Sequence, residues 1–225
     1  MRSRYLEGVA PLGAVEPGKA LVYMVGDDVY APNYWLPHIA LGHSAEGRIK
    51  VFAKNPGLRK IYSLFGSGEC RYMVIAGKKP LAATPRSIFF YLFSKGVSSA
   101  NILSTLLRSA EICLSHLVSV KTVIREMESR RSGFIPICKK GRITHVAAAP
   151  LLASYLDSGG RLSTRLASIK EYLETPPRAD SIPQLLRIVK EYSHGVYEPE
   201  PGTQLFVSEH SLYEAARKIL SKSLR

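Results

Sequence analysis

Cys70-Arg71-Tyr72-Met73-Val74-Ile75-Ala76-Gly77 is the stretch on which the fold turns. β-branched, aromatic and other apolar residues fill it and Gly77 closes it, so it reads as the best strand in the chain. Upstream, Leu58, Ile61, Leu64 and Phe65 recur at helical spacing within 56–65, and Gly66-Ser67-Gly68 stops that helix. Downstream, Pro80 and Pro85 bracket a loop. Thr84 then caps a helix with Pro85 in its first turn, Ile88, Phe89, Leu92 and Phe93 on one face, and Gly96 at its end.

Further out, Ala20–Val25 is a short apolar run of the kind buried on both faces in a parallel sheet. Arg48–Ala53 alternates charged and apolar residues, as an edge strand or the start of the next helix. Strand, helix, strand and helix in succession predict an α/β class protein, specifically a Rossmann-like, mostly parallel three-layer sheet.

The other half predicts a helical C-terminal extension. The segment 98–131 reads as helical with a break near 115–118, and helices are expected over 150–157, 162–174, 182–192 and 209–224. Phe134–Cys138 and Arg142–Val146 flank Lys139-Lys140-Gly141, a hairpin signal. Thr175-Pro176-Pro177 and Glu198-Pro199-Glu200-Pro201-Gly202 read as stiff breaks. The division expected is an α/β domain over 1–130, then a basic hairpin and mostly helical region over 131–225. No internal repeat is visible.

Charge sets the terms for function. The 225 residues carry 31 Lys and Arg against 18 Asp and Glu, a net +13. Such a field attracts polyanions without naming one. The excess is concentrated: between Arg48 and Lys95 stand Arg48, Lys50, Lys54, Arg59, Lys60, Arg71, Lys78, Lys79, Arg86 and Lys95 against Glu69 alone. No apolar stretch reaches the ~18–20 residues of a membrane span, and residues 1–8 lack the apolar run of a signal peptide. Cys70, Cys113 and Cys138 are odd in number and far apart, so no disulfide framework and a reducing, cytoplasmic setting are expected.

Several chemistries find no motif. The chain has no G-x-x-x-x-G-K-[ST] phosphate loop, and Gly66-Ser67-Gly68 precedes a strand instead of opening a helix. The histidines are scattered without metal-ligand spacing, and no G-x-S-x-G elbow exists. Two clusters remain. Gly26, Asp27 and Asp28 end the first strand, while Gly77 and Lys78 end the best one beside the helix start at Thr84. In open α/β sheets ligands bind beyond the carboxyl ends of strands. A helix N-terminus there adds free N–H groups for a phosphate or carboxylate. The second cluster is Arg130, Arg131, Lys139, Lys140 and Arg142, a basic edge suited to nucleic-acid phosphates.

Residues 57–102 also carry a family pattern. Gly57-Leu58-Arg59-Lys60-Ile61 leads to the Cys70–Gly77 strand, then to Phe89 and Leu92, and Gly96-Val97-Ser98 with Ile102 closes it. This resembles the corrinoid-carrying A subunit of archaeal tetrahydromethanopterin S-methyltransferase, and the N-terminal region of methanogen-type thymidylate synthases is similar. The resemblance implies a Rossmann-like sheet with a ligand crevice. It does not carry the chemistry over. Where the methyltransferase subunit has a Gly-His pair whose His ligates cobalt, this chain has Ala82-Ala83, and Cys138 follows Ile137 where the synthases have Pro-Cys.

Three expectations follow: an anionic small ligand such as a nucleotide, pterin or other phosphorylated cofactor; a nucleic-acid partner; or an accessory subunit without chemistry of its own.

Overall fold

A computed structural model of the chain describes residues 4–13, 18–96 and 99–223. Val97, Ser98 and residues 224–225, which enter the readings above, lie outside the described residues. The strands and helices follow one another as β1 (Glu7–Gly8), β2 (Ala10–Pro11), β3 (Val22–Met24), β4 (Tyr30–Pro32), a 3-10 turn (Asn33–Trp35), α1 (Leu36–Ala40), β5 (Lys50–Phe52), α2 (Leu58–Ser67), β6 (Met73–Ile75), β7 (Leu81–Ala83), α3 (Pro85–Ser94) and α4 (Ser99–Arg108). Then come β8 (Leu114–Ser115), α5 (Val120–Arg130), β9 (Phe134–Lys139), β10 (Arg142–Ala148), α6 (Ala149–Asp157), β11 (Arg178–Ala179), α7 (Ile182–Tyr192), β12 (Gly195–Glu200), β13 (Thr203–Val207) and α8 (Glu209–Ser223).

The class is α/β, but among the described residues the expected single three-layer sheet is replaced by four small mixed sheets. The turn after the best strand decides this. Only residues 76–80 separate β6 from β7, too few for a parallel crossover, so the chain returns antiparallel with Val74 opposite Ala82. Residues 81–83, expected in a loop, are therefore a strand.

The same unit recurs four times. A short leading strand pairs in parallel with the first arm of a hairpin: β2 with β3, β5 with β6, β8 with β9 and β11 with β12. The second arm runs antiparallel and feeds a helix: β4 into the 3-10 turn and α1, β7 into α3, β10 into α6 and β13 into α8. In the last three units a further helix, α2, α5 or α7, joins the leading strand to the hairpin. β1 extends the second sheet beside β7.

These units pack in alternating pairs. One core gathers the first and third units around Leu21, Trp35, Val123, Phe134 and Leu152. The other gathers the second and fourth around Phe65, Phe89, Leu185, Val207 and Leu212. Both cores draw on residues from either side of position 130.

Two further readings change. The stretch 162–174 holds only two 3-10 turns, because the N–H groups of Leu166 and Ala167 bond to Val118 and His116 and Glu174 pairs with Val146. Cys113 and Cys138 form a disulfide, with Cα atoms 5.7 Å apart, against the expectation of none. Parallel pairing of β8 with β9 sets Leu114 beside Ile137 and Ser115 beside Cys138, so the pairing register brings the two cysteines together across 25 residues.

Candidate functional site: a basic cleft where three units meet

Local signals deliver the cleft residues. Gly68, at φ 84°, ends α2 in a left-handed cap, so Glu69–Tyr72 reverse direction before β6 begins. Arg131, at φ 49°, caps α5 in the same way. Asn33–Trp35 turn directly out of β4, and Gly47, at φ 73°, turns the chain into Arg48 and Lys50 at the start of β5. These segments enclose a cleft of ≈ 320 Å³ lined by Tyr34, Arg48, Lys50, Cys70, Arg71, Tyr72 and Arg131, with Glu69 its one acid.

The cations differ in how far they are committed. Arg71 is fixed: it donates to the Arg130 carbonyl at 2.6 Å and to His210 Nδ1 at 3.2 Å, and lies 4.1 Å from the Tyr213 ring centre. Its other amino group lies 3.7 Å from Glu214. Arg48 stacks 3.5 Å from the centre of Trp35. Trp35 is held in turn by His38, stacked at 4.0 Å, and by its indole N–H on the Ser44 carbonyl at 2.9 Å. Among the described residues, no acid lies within ion-pair distance of Arg48, Lys50 or Arg131.

The floor is aromatic. Tyr34 and Tyr72 are buried with ring centres 5.9 Å apart. Burial pushes the Tyr34 hydroxyl up from its ordinary range, against the pull of Arg131, Arg48 and Arg71. Burial also raises the Cys70 thiol, so that sulfur is held as a neutral thiol.

Behind this floor lies a buried polar cluster. Tyr72 donates to the Arg131 carbonyl at 3.3 Å and also meets Glu209, the first residue of α8. Glu209 accepts the Gly133 N–H and faces Asn33. Glu111 accepts the Ser208 hydroxyl and lies 3.5 Å from Arg130. Burial pushes both carboxyls up to about 7.

The residues singled out in the sequence are dispersed. Gly26, Asp27 and Asp28 are exposed on the β3–β4 turn, and Gly77 and Lys78 are exposed on the β6–β7 turn of a different sheet. Thr84 is buried. It accepts from Ser87 N and donates to Glu7 at 2.8 Å, so it serves as the α3 cap. Lys139, Lys140 and Arg142 occupy the β9–β10 turn, with Arg142 held by Glu198 at 3.2 Å. Arg130 is held by Glu126 at 2.9 Å and by Glu111. Arg131 alone of these residues lines the cleft. Tyr34, Arg48, Lys50, Arg71 and Tyr72 were not singled out as a site. Their trace in the sequence is the basic excess that begins at Arg48 and the polar residues just ahead of two strands.

Fold and site together define a four-unit α/β assembly with a cationic cleft near the meeting of its first three units. No family model and no curated protein sequence matches the chain. Solved structures do match in fold. One is a Methanocaldococcus jannaschii protein described as a proposed archaeal homolog of g-AMPK, with 10% identity, a TM-score of 0.53, and coverage of 76% of this chain and 67% of that one. Another is an uncharacterised conserved protein of Pyrococcus horikoshii, with 12% identity, a TM-score of 0.50, and coverage of 95% and 98%. Neither is described as a corrinoid protein or a thymidylate synthase. At these identities the likeness is one of fold. No helix among the described residues is long and apolar enough to cross a membrane.

Proposed function

We propose that the chain binds an anionic small ligand, a nucleotide, pterin or other phosphorylated cofactor, in the cleft lined by Arg48, Lys50, Arg71 and Arg131. The observation that carries this reading is the charge left over in the cleft: four cations face one acid, and three of the cations have no acidic partner among the described residues. Cations already stacked on rings, Arg48 on Trp35 and Arg71 on Tyr213, lose less freedom when an anion arrives.

Trp35, the only tryptophan, gives the assay, because Arg48 lies against it. Titration with nucleotides, pterins and sulfate should change Trp35 emission and raise the melting temperature, since a ligand of the native state stabilises it. Arg48→Gln and Arg131→Gln should each weaken binding by about tenfold or more, the usual loss for a charge-assisted contact. A silent panel, or binding unchanged in both variants, refutes the site.

Exposed Lys78, Lys79, Lys139 and Lys140 on two hairpin turns support a second reading, binding to nucleic-acid phosphates. It requires a gel shift at about 50 mM salt that fades steeply as salt rises.

A further inference from the structure

We infer that occupation of the basic cleft by an anion is coupled to proton uptake at the buried Glu209–Glu111 pair behind its floor, an inference that rests on the cleft being an anion site.

Tyr72 belongs to both places: it lines the cleft, and its hydroxyl meets Glu209. Arg71 and Arg131 line the cleft too, and Arg71 acts on Glu111 while the Arg131 carbonyl accepts from Tyr72. The two carboxyls belong to one cluster, joined through Ser208, which donates to Glu111 and immediately precedes Glu209. Glu111 is 3% exposed in its side chain and Glu209 is wholly buried, so bulk water does little to screen them from charges nearby.

The groups facing the pair come from every element packed on it. Tyr34 lies on the 3-10 turn, Arg71 and Tyr72 precede β6, and Arg130 and Arg131 end α5. His210 and Glu214 follow Glu209 on α8, where His210 accepts from Arg71. The arginines favour the charged carboxylates. An anion beside Arg71 and Arg131 offsets part of that positive potential and adds negative charge of its own. Each effect favours the protonated carboxyl. Both carboxyls stand at about 7, where a modest bias changes their protonation most. The proton comes from solvent, and no bond of the ligand is made or broken.

The test uses sulfate on the full chain, because sulfate does not itself titrate near neutrality. Calorimetric titration at pH 7 in two buffers of different ionisation enthalpy gives the protons taken up per sulfate. The expected result is a few tenths of a proton, with affinity falling about threefold between pH 6.5 and 8.5, as a carboxyl pKa rise of roughly half a unit produces. Glu111→Gln and Glu209→Gln should each reduce the uptake, and Glu111→Gln keeps an acceptor for Ser208 should the other variant fail to fold. Sulfate binding with no uptake overturns the coupling and leaves the cleft intact. Uptake unchanged in the folded variants also overturns it, and assigns the proton to His210 or His38. Absence of sulfate binding overturns the anion site and the coupling together.

Discussion

Breaking the Cys113–Cys138 disulfide should lower stability without altering the fold. The bond closes a loop of 25 residues that contains α5 and joins the leading strand of the third unit to its hairpin. Leading strand β8 has only two paired residues, so little else fixes the start of this unit to the sheet. The chain-entropy relation for a loop of that length gives roughly 3.5 kcal/mol of stabilisation through the unfolded state. For a chain of this size that corresponds to a melting temperature lower by roughly 7–14 °C. The perturbation is the Cys113→Ser/Cys138→Ser double variant, or a thiol reductant on the parent. The assay is thermal unfolding followed by far-ultraviolet circular dichroism, with thiols counted in denaturant. The unreduced parent should expose one reactive thiol, from Cys70, and the reduced parent three. Three thiols in the unreduced parent would refute the pairing. A double variant that melts with the parent would refute the loop argument.

Two more perturbations test the buried centre. At Gly133 an added Cβ would lie 2.5 Å from Asn33 Cγ and 2.9 Å from its Oδ1, and Asn33 is fully buried with its Oδ1 accepting the Tyr34 N–H at 2.7 Å. Gly133→Ala should therefore cost about 1–3 kcal/mol, typical of overpacking, in urea unfolding, and a cost near zero would show that Asn33 is free to move. For Glu209, whose folded carboxyl is raised from 4.5 to about 7, the native state holds a proton that the unfolded chain releases. Its contribution is thus complete below about pH 4.5 and is lost as pH rises toward 7, on the order of 3 kcal/mol in all. His210 and His38, lowered by burial, work the opposite way below their ordinary 6.5. The comparison is therefore parent against Glu209→Gln: the variant should gain relative stability from pH 5 to 8, and a pH-independent difference would mean that Glu209 is ionised throughout.

Element type was legible wherever the local pattern was strong. The Ile182–Tyr192 helix and the 134–148 hairpin stand where periodicity and turn residues put them. So do the α2 and α3 helices on either side of the Cys70–Gly77 strand. What local pattern could not convey was pairing. A three-residue strand looks the same in a large parallel sheet and in a small mixed one, because both bury Val74 and Met73. The difference lay in the five residues after it, where a turn too short for a crossover makes a hairpin. The fourfold repeat was hidden for a related reason. Equivalent hairpins read ALVYMVGDDVYAP, CRYMVIAGKKPLAA and FIPICKKGRITHVAA, sharing apolar texture and a polar turn but few identities. The segment 162–174 misled because its backbone groups at Leu166, Ala167 and Glu174 bond to Val118, His116 and Val146 instead of closing helical turns.

The site was harder to read because its residues depend on that pairing. A single large sheet would have put binding groups beyond the ends of its strands, at Asp28 and Lys78. With each sheet folded back as a hairpin, those ends become solvent-exposed turns. The opposite ends face inward, where Arg71 and Tyr72 enter β6 and Lys50 begins β5. Arg131 joins them across the contact between the second and third units, which no sequence distance reveals. The charge of +13 nevertheless marked the region, since three of the four cleft cations lie between positions 48 and 71. Several arginines elsewhere are answered by acids: Arg86 by Glu7 at 3.0 Å, Arg178 by Glu198 at 2.8 Å, Arg130 by Glu126 at 2.9 Å. Unanswered cations brought together around a cleft are the costlier arrangement, because like charges repel there. Arg48, Lys50 and Arg131, gathered around one cleft, therefore mark a place where an added anion relieves repulsion.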